Sequence, residues 1–172
     1  MSHNTRTATD TGFSFQVSDT WGAYWVAMVR VLVGWWFFHS GFTKLLDSGL
    51  NFDAAGYLQG MSGTTLGPVA TFLADYPDLI GAMVPIFETL IGLALIAGLL
   101  TRLASFGGVV FMSLFWVGNG RFGHGLVNSD FMGLLLFVTM IVFAAGRYYG
   151  LDAFVEKLSV VQNNPKLRYI LG

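Results

Sequence analysis

The chain has 172 residues, of which 54% are hydrophobic and 11% charged, with a formal net charge of -1 and a mean hydropathy of +0.62. A soluble domain of this length carries about a quarter charged residues, so lipid is the expected solvent for most of the chain, and the length suits one domain of four spans of roughly twenty residues. Near-neutral charge excludes nucleic acid as a partner, and the absence of cysteine excludes thiolate-held iron–sulfur clusters, CxxCH haem attachment, disulfides and dithiol chemistry.

Residues 1–20 stay polar and lack the basic and apolar regions of a cleaved signal peptide, so the first span is expected to act as its own insertion signal. That span runs from about Trp21 to Leu45, with Trp21 and Trp25 at its entry, Lys44 at its exit, and Arg30 and His39 inside. The stretch from Asp47 to Asp78 is too long for a plain connection. Asn51 or Asp53 can cap a short helix ending at Gly60, and Pro68 can open another that stops near Tyr76-Pro77. The second span covers about 79–100, with Pro85 near its start and Glu88 near its middle. Thr101-Arg102 ends it, and a third span follows over about 103–117, Arg102 snorkelling to the interface. The fourth covers about 131–147, with Arg147, Tyr148 and Tyr149 at its exit, and a polar tail of 151–172 holds a short helix from Asp152 to Gln162. The expected fold is therefore an all-α integral membrane protein, a four-transmembrane-helix bundle over 21–150 with short extracytoplasmic helices between the first two spans. Arg6, Arg102, Arg147, Lys157, Lys166 and Arg168 fall on one side, against Lys44 and Arg121 on the other, which places both termini in the cytoplasm at the cell membrane.

Arg30, Gly34, Phe37, Gly41 and Lys44 recur at helical spacing on one stripe, and Gly81, Pro85, Glu88 and Gly92 form a matching stripe on the second span. Small residues on both stripes allow close approach, and a lone charge at the bilayer centre is costly, so Arg30 and Glu88 are expected to face the interior and pair. Counted from the outer ends at ~1.5 Å per residue, Arg30 lies about 7 Å deeper than Glu88, within reach of its side chain. The pair reads either as a lock on helix register or as a proton acceptor, Glu88, kept ionised by Arg30. His39 lies on the opposite face, where it can pack against a helix, contact a partner subunit or offer a hydrogen bond to a quinone carbonyl.

The loop from Gly118 to Asp130 gathers Asn119, Arg121, His124, Asn128 and Asp130 among four glycines. Asn128 or Asp130 suits the cap of the fourth helix. With His39 and Lys44, these groups concentrate polarity at the outer half of the bundle, a place for a small anion or a quinone head group. No metal or haem is expected: His3 is in the terminus, and His39 and His124 would have to meet across helices.

The run Arg30-Val-Leu-Val-Gly34-Trp-Trp-Phe-Phe-His39-Ser-Gly41-Phe-Thr-Lys44-Leu45, the run Glu88-Thr-Leu-Ile-Gly92-Leu-Ala-Leu and the turn Gly98-Leu-Leu-Thr101-Arg102-Leu-Ala104 together resemble the DoxX/DoxD family. Asn128-Ser-Asp130 and the fourth helix resemble archaeal members. The resemblance implies a four-helix membrane protein and, from the best-known members, a membrane subunit of thiosulfate:quinone oxidoreductase with quinone as substrate. Arg30, Lys44, Glu88 and Arg102 match the family pattern; His39 and His124 are additions to it. A quinone-reactive subunit is the leading expectation, with Lys44, Arg121 and His124 drawing an anionic substrate and Glu88 joining the proton transfer. A non-catalytic subunit or assembly partner and a proton or small-solute conduit are the rivals. Membrane lipid, and a second subunit or a homo-oligomer, are the expected partners.

Overall fold

The computed structural model describes residues 20–118 and 125–172, and among them every regular element is helical. The long helices are α1 (Thr20–Ser48), α4 (Pro77–Ala97), α5 (Thr101–Gly118) and α6 (Ser129–Val142). Between α1 and α4 lie α2 (Ala55–Met61) and α3 (Gly67–Ala74), as the length of that connection requires. Pro68 stands in the first turn of α3 and Pro77 opens α4, both where a missing N–H costs nothing. Asp53 supplies the expected polar start of α2, its Oδ1 accepting from Ala55 N at 2.8 Å.

Helices α1 and α4 run antiparallel and in close contact, because glycine removes the side chain wherever their backbones meet. A Cβ on Gly34 would come within 2.8 Å of Ile96 N, and one on Gly41 within 2.7 Å of Pro85 O; Gly92 packs on the backbone of Phe38. Helix α4 ends at Gly98, whose positive φ of 65° lets Gly98 N and Leu99 N fold back to the carbonyls of Leu95 and Ala94. The chain then turns straight into α5. Val33, Phe37, Ile91, Leu95, Ala104, Met112 and Phe137 knit the four long helices into one core. The Phe37 and Phe137 rings meet edge to face at 4.7 Å, and Phe137 fills the space above Gly108.

The outward faces are as apolar as the core. Leu32, Trp35, Leu90, Leu93, Leu103 and Phe106 are all exposed, as suits helices bathed in lipid. Helices α4 and α5 are long and apolar enough to cross a bilayer. Helix α1 is longer still, but carries Arg30, His39 and Lys44, and α6 is shorter, at 14 residues. The fourth helix therefore stops short of the expected 147. After Val142 the chain passes through Ala144, at φ 49°, into a 3₁₀ turn over Ala145–Arg147.

The C-terminal segment is more ordered than a polar tail. It breaks into α7 (Asp152–Val155), α8 (Ser159–Asn163) and a 3₁₀ turn (Pro165–Tyr169), then returns to the bundle, where Leu171 is buried and Ile170 O accepts from Leu103 N at 3.2 Å. The molecule thus has two dissimilar ends. A cap of α2 and α3, with its own core of Ala54, Leu58, Met61 and Ala70, covers one; the folded tail closes the other, beside the α4–α5 turn.

Candidate functional site

Arg30 and Glu88 are both buried, at 2% and 3% exposure, and they do not pair. The expected ion pair is corrected by the register of the two helices. Helix α4 overhangs α1 at the cap end, where Gly81 packs on the Phe52 carbonyl, beyond the last turn of α1. The outer ends of the two helices are therefore not level. Gly41 stands against Thr89, which sets Glu88 beside Ser40 and Lys44, while Arg30 falls beside Gly98. Ten residues of helix, roughly 15 Å, separate the two charges on either helix.

At the cap end, Lys44 Nζ donates directly to Glu88 Oε2 in a charge-assisted bond. Ser40, one turn before Lys44, completes the cluster: its hydroxyl donates to Glu88 Oε2 at 3.2 Å and accepts from Lys44 Nζ at 3.0 Å. Helix side chains lean toward the N-terminus, which carries the ammonium of Lys44 back over Ser40 and inward. Lys44 is thus not the exposed interface marker its sequence position suggested. Its side chain keeps a quarter of its surface, 25%, against 4% for Glu88, so the lysine is the accessible member. The Phe52 ring lies 5.5 Å from Nζ and roofs the pair. One buried carboxylate, one cation with a path outward and one hydroxyl bridging them form a group able to hold and relay a proton.

At the tail end, the Arg30 guanidinium performs a different task. Nη1 donates to Ala145 O at 2.7 Å and to Tyr148 O at 2.9 Å, and Nη2 to Tyr149 O at 3.2 Å. These carbonyls follow the end of α6, where partial negative charge collects. Arg102 serves the same end through Nε to Ile141 O at 3.3 Å. Beside Arg30 lies Asp152, fully buried, with Oδ1 accepting from Leu100 N at 2.8 Å and Oδ2 from Thr101 N and Gly172 N, both at 3.0 Å. Asp152 caps the N-terminus of α5 from the far end of the chain. Sequence reasoning missed this, because capping signals are sought next to the helix they cap and this one is 51 residues away.

Of the other expected site residues, those the structure describes, His39, Asn128 and Asp130, do not join the Glu88 cluster. His39 is exposed on the outer face of α1, its ring 6.1 Å from that of Trp35. Asn128 caps α6, its Oδ1 accepting from Phe131 N at 3.0 Å, and Asp130 stands in the first turn. Asp130 reaches the cap electrostatically: burial, and then this carboxylate, push the Tyr57 hydroxyl above the usual tyrosine range. Asn119, Arg121 and His124 lie outside the described residues. A cavity of about 540 Å³ under the cap is lined by Tyr57, Gln59, Ser62, Thr64 and Gly118 among others, but by none of Ser40, Lys44 and Glu88. Ser40 was overlooked in the sequence because an isolated serine in a span carries no signal; its spacing of four from Lys44 was the usable one.

The family model described as DoxX matches residues 25–119, from the first turns of α1 to just past the end of α5. No solved structure matches the chain.

Proposed function

The chain belongs to the DoxX family of membrane proteins, and from that premise we propose that it is the quinone-reactive membrane subunit of an oxidoreductase of the thiosulfate:quinone type. In this reading it spans the cell membrane four times with both termini in the cytoplasm. The observation that supports it is the buried Glu88 held by Lys44 and Ser40. Quinone reduction needs two electrons and two protons. The electrons come from thiosulfate through a second subunit, and a buried carboxylate bonded to a lysine and to a hydroxyl is placed to take up a proton and pass it on. Ser40, bonded to both partners, provides the relay. The quinone head group approaches from the Lys44 side, the exposed one.

The test is thiosulfate-dependent reduction of a quinone analogue by membranes from cells with and without the gene, with Glu88→Gln alongside. Loss of the rate in both is expected. An unchanged rate in the deletion removes the thiosulfate reading.

A second reading, a non-catalytic subunit or assembly partner, has its own support, since Glu88 ties α4 to Lys44 and Ser40 of α1 and would serve equally as a packing lock. The paired variant Lys44→Met/Glu88→Gln separates the two. A lock is satisfied once both charges are gone, so folded amount and rate recover together; a proton relay recovers only the folded amount. Proton flux in proteoliposomes lacking any redox substrate would instead favour a conduit.

A further inference from the structure

Phe52 lies in the short non-helical stretch that carries the chain from α1 into the cap, and it is held from several directions. Its side chain packs against the cap core of Ala54, Leu58, Met61 and Ala70, in company with Leu66, Leu73 and Ile80. Its carbonyl lies against α4 at Gly81, where a Cβ would collide with the Phe52 oxygen. The next residue, Asp53, fixes the start of α2 through its bond to Ala55 N. The same half-buried ring stands over Lys44, its centre 5.5 Å from Nζ. Cap, α4 and the charged cluster thus meet at one residue.

A lysine ammonium carries three N–H donors on a flexible stem. Lys44 uses two of them, on Glu88 Oε2 and on Ser40 Oγ, and among the described residues no further oxygen or nitrogen accepts from Nζ. The electron-rich face of a phenyl ring attracts a cation within about 6 Å of its centre, so the ring supplies the partner that the remaining N–H lacks. The contact matters because Lys44 is the partly accessible member of the pair and Glu88 the buried one. A long side chain beside an opening swings outward unless something covers it. We propose that Phe52 is the positioning residue of this cluster, its ring keeping Lys44 seated on Glu88 and tying that seat to the folded cap. The inference concerns the pair on which the redox reading rests, but it follows from the contacts of Lys44 and holds whatever the pair serves.

The test reads Lys44 itself. The chain has two other lysines, Lys157 and Lys166, both exposed, which serve as standards within each sample. The detergent-extracted full chain is acetylated briefly with a water-soluble ester, and the ratio of modification at Lys44 to that at Lys157 and Lys166 is measured by peptide mass spectrometry. Glu88→Gln, which releases Lys44 from its carboxylate, shows the ratio of an unseated lysine. Phe52→Leu keeps an apolar filler for the cap core but removes the ring face, and should raise the ratio about fivefold, while Phe52→Tyr should stay within about twofold of the wild type. Leu66→Ala loosens the same cap core without removing the ring from Lys44, and should leave the ratio near the wild-type value. Limited proteolysis of α2 and α3 follows the cap in every variant. An unchanged ratio in Phe52→Leu, an equal rise in Phe52→Tyr, or an equal rise in Leu66→Ala would overturn the proposal, as would a wild-type Lys44 as reactive as Lys157. In membranes that reduce the quinone analogue, Phe52→Leu should lower the rate and Phe52→Tyr should keep it. A wild type without quinone reduction would remove the redox reading and leave the acetylation ratios to decide this one.

Discussion

Arg30 and Lys44 share a helix and a stripe, yet one binds backbone and the other binds a side chain. The difference lies in what the register sets opposite each. Arginine's planar fork suits three carbonyls at the end of α6, and lysine's point charge suits one carboxylate. Arg30→Lys is therefore expected to lose geometry while keeping charge: charge-assisted bonds contribute about 1.5–3 kcal/mol each, and at least one of the three goes. The check is a fall in the thermal midpoint followed by fluorescence-detected size exclusion; an unchanged midpoint would mean that charge alone matters there. At the other end, Lys44→Met strands Glu88 in the interior, a loss of about 3–5 kcal/mol for a buried pair with one partner removed. Adding Glu88→Gln should recover most of it, because the orphaned charge and not the missing contact is the cost. A double variant no more stable than Lys44→Met would refute that account.

Among the elements, the α1–α4 pair is the one that glycine made possible. A Cβ on Gly41 meets the Thr89 and Pro85 backbone, and backbone atoms do not yield as a side chain does. Gly41→Ala should destabilise by about 1–3 kcal/mol through overpacking. Gly60 in α2 has nothing within 4 Å, so Gly60→Ala should be neutral or stabilise by up to about 1 kcal/mol. Opposite signs for the same chemical change, read from denaturation midpoints in one detergent, are the expected pattern; equal signs would count against the packing described for α1 and α4. The cap has a pH dependence of its own. Tyr57, raised by burial and by Asp130, holds its proton more firmly folded than unfolded. The resulting stability is fully present below the unfolded value of about 10 and is lost as pH rises through the higher folded one. Proteolysis within α2 and α3 should thus accelerate in strongly alkaline buffer, and Tyr57→Phe should blunt the effect. The extended connection between α1 and α4, with its turn residues, made α2 and α3 legible beforehand. The early end of α6 was not, because the apolar run continues through Phe143-Ala-Ala145 and only the backbone at Ala144 breaks it.

The whole molecule is built to differ at its two ends, and that difference is testable as topology. If the chain crosses the membrane four times, the cap and the folded tail lie on opposite sides. Single cysteines at Ser62 and Ser159, both exposed, should then react with a membrane-impermeant maleimide from opposite faces, Ser62→Cys in intact cells and Ser159→Cys only after permeabilisation. Labelling of both from one side would exclude the four-span arrangement. The tail closes its end through Asp152, which ties α7, the start of α5 and Gly172 into one buried knot. Asp152→Asn keeps the shape but loses one acceptor and the charge, and should loosen this end without touching the Lys44–Glu88 pair.

Composition alone determined the solvent of this protein, and local chemistry determined most of its helices. An apolar chain with few charges has to lie in lipid, and proline, glycine and asparagine mark helix ends through bonds made within a few residues. The glycine stripes also announced which faces of α1 and α4 would meet, since periodicity survives in one dimension. What periodicity does not contain is the sliding of one helix along another. A shift of a few residues leaves every stripe intact yet exchanges the partner of every charge on it, and the overhang of α4 past α1 is such a shift. Only the tertiary structure decided that Glu88 answers to Lys44, that Arg30 answers to the end of α6, and that Asp152 caps a helix it is not next to in sequence. Each of those contacts depends on where the chain returns in space, and return is set by packing of the whole.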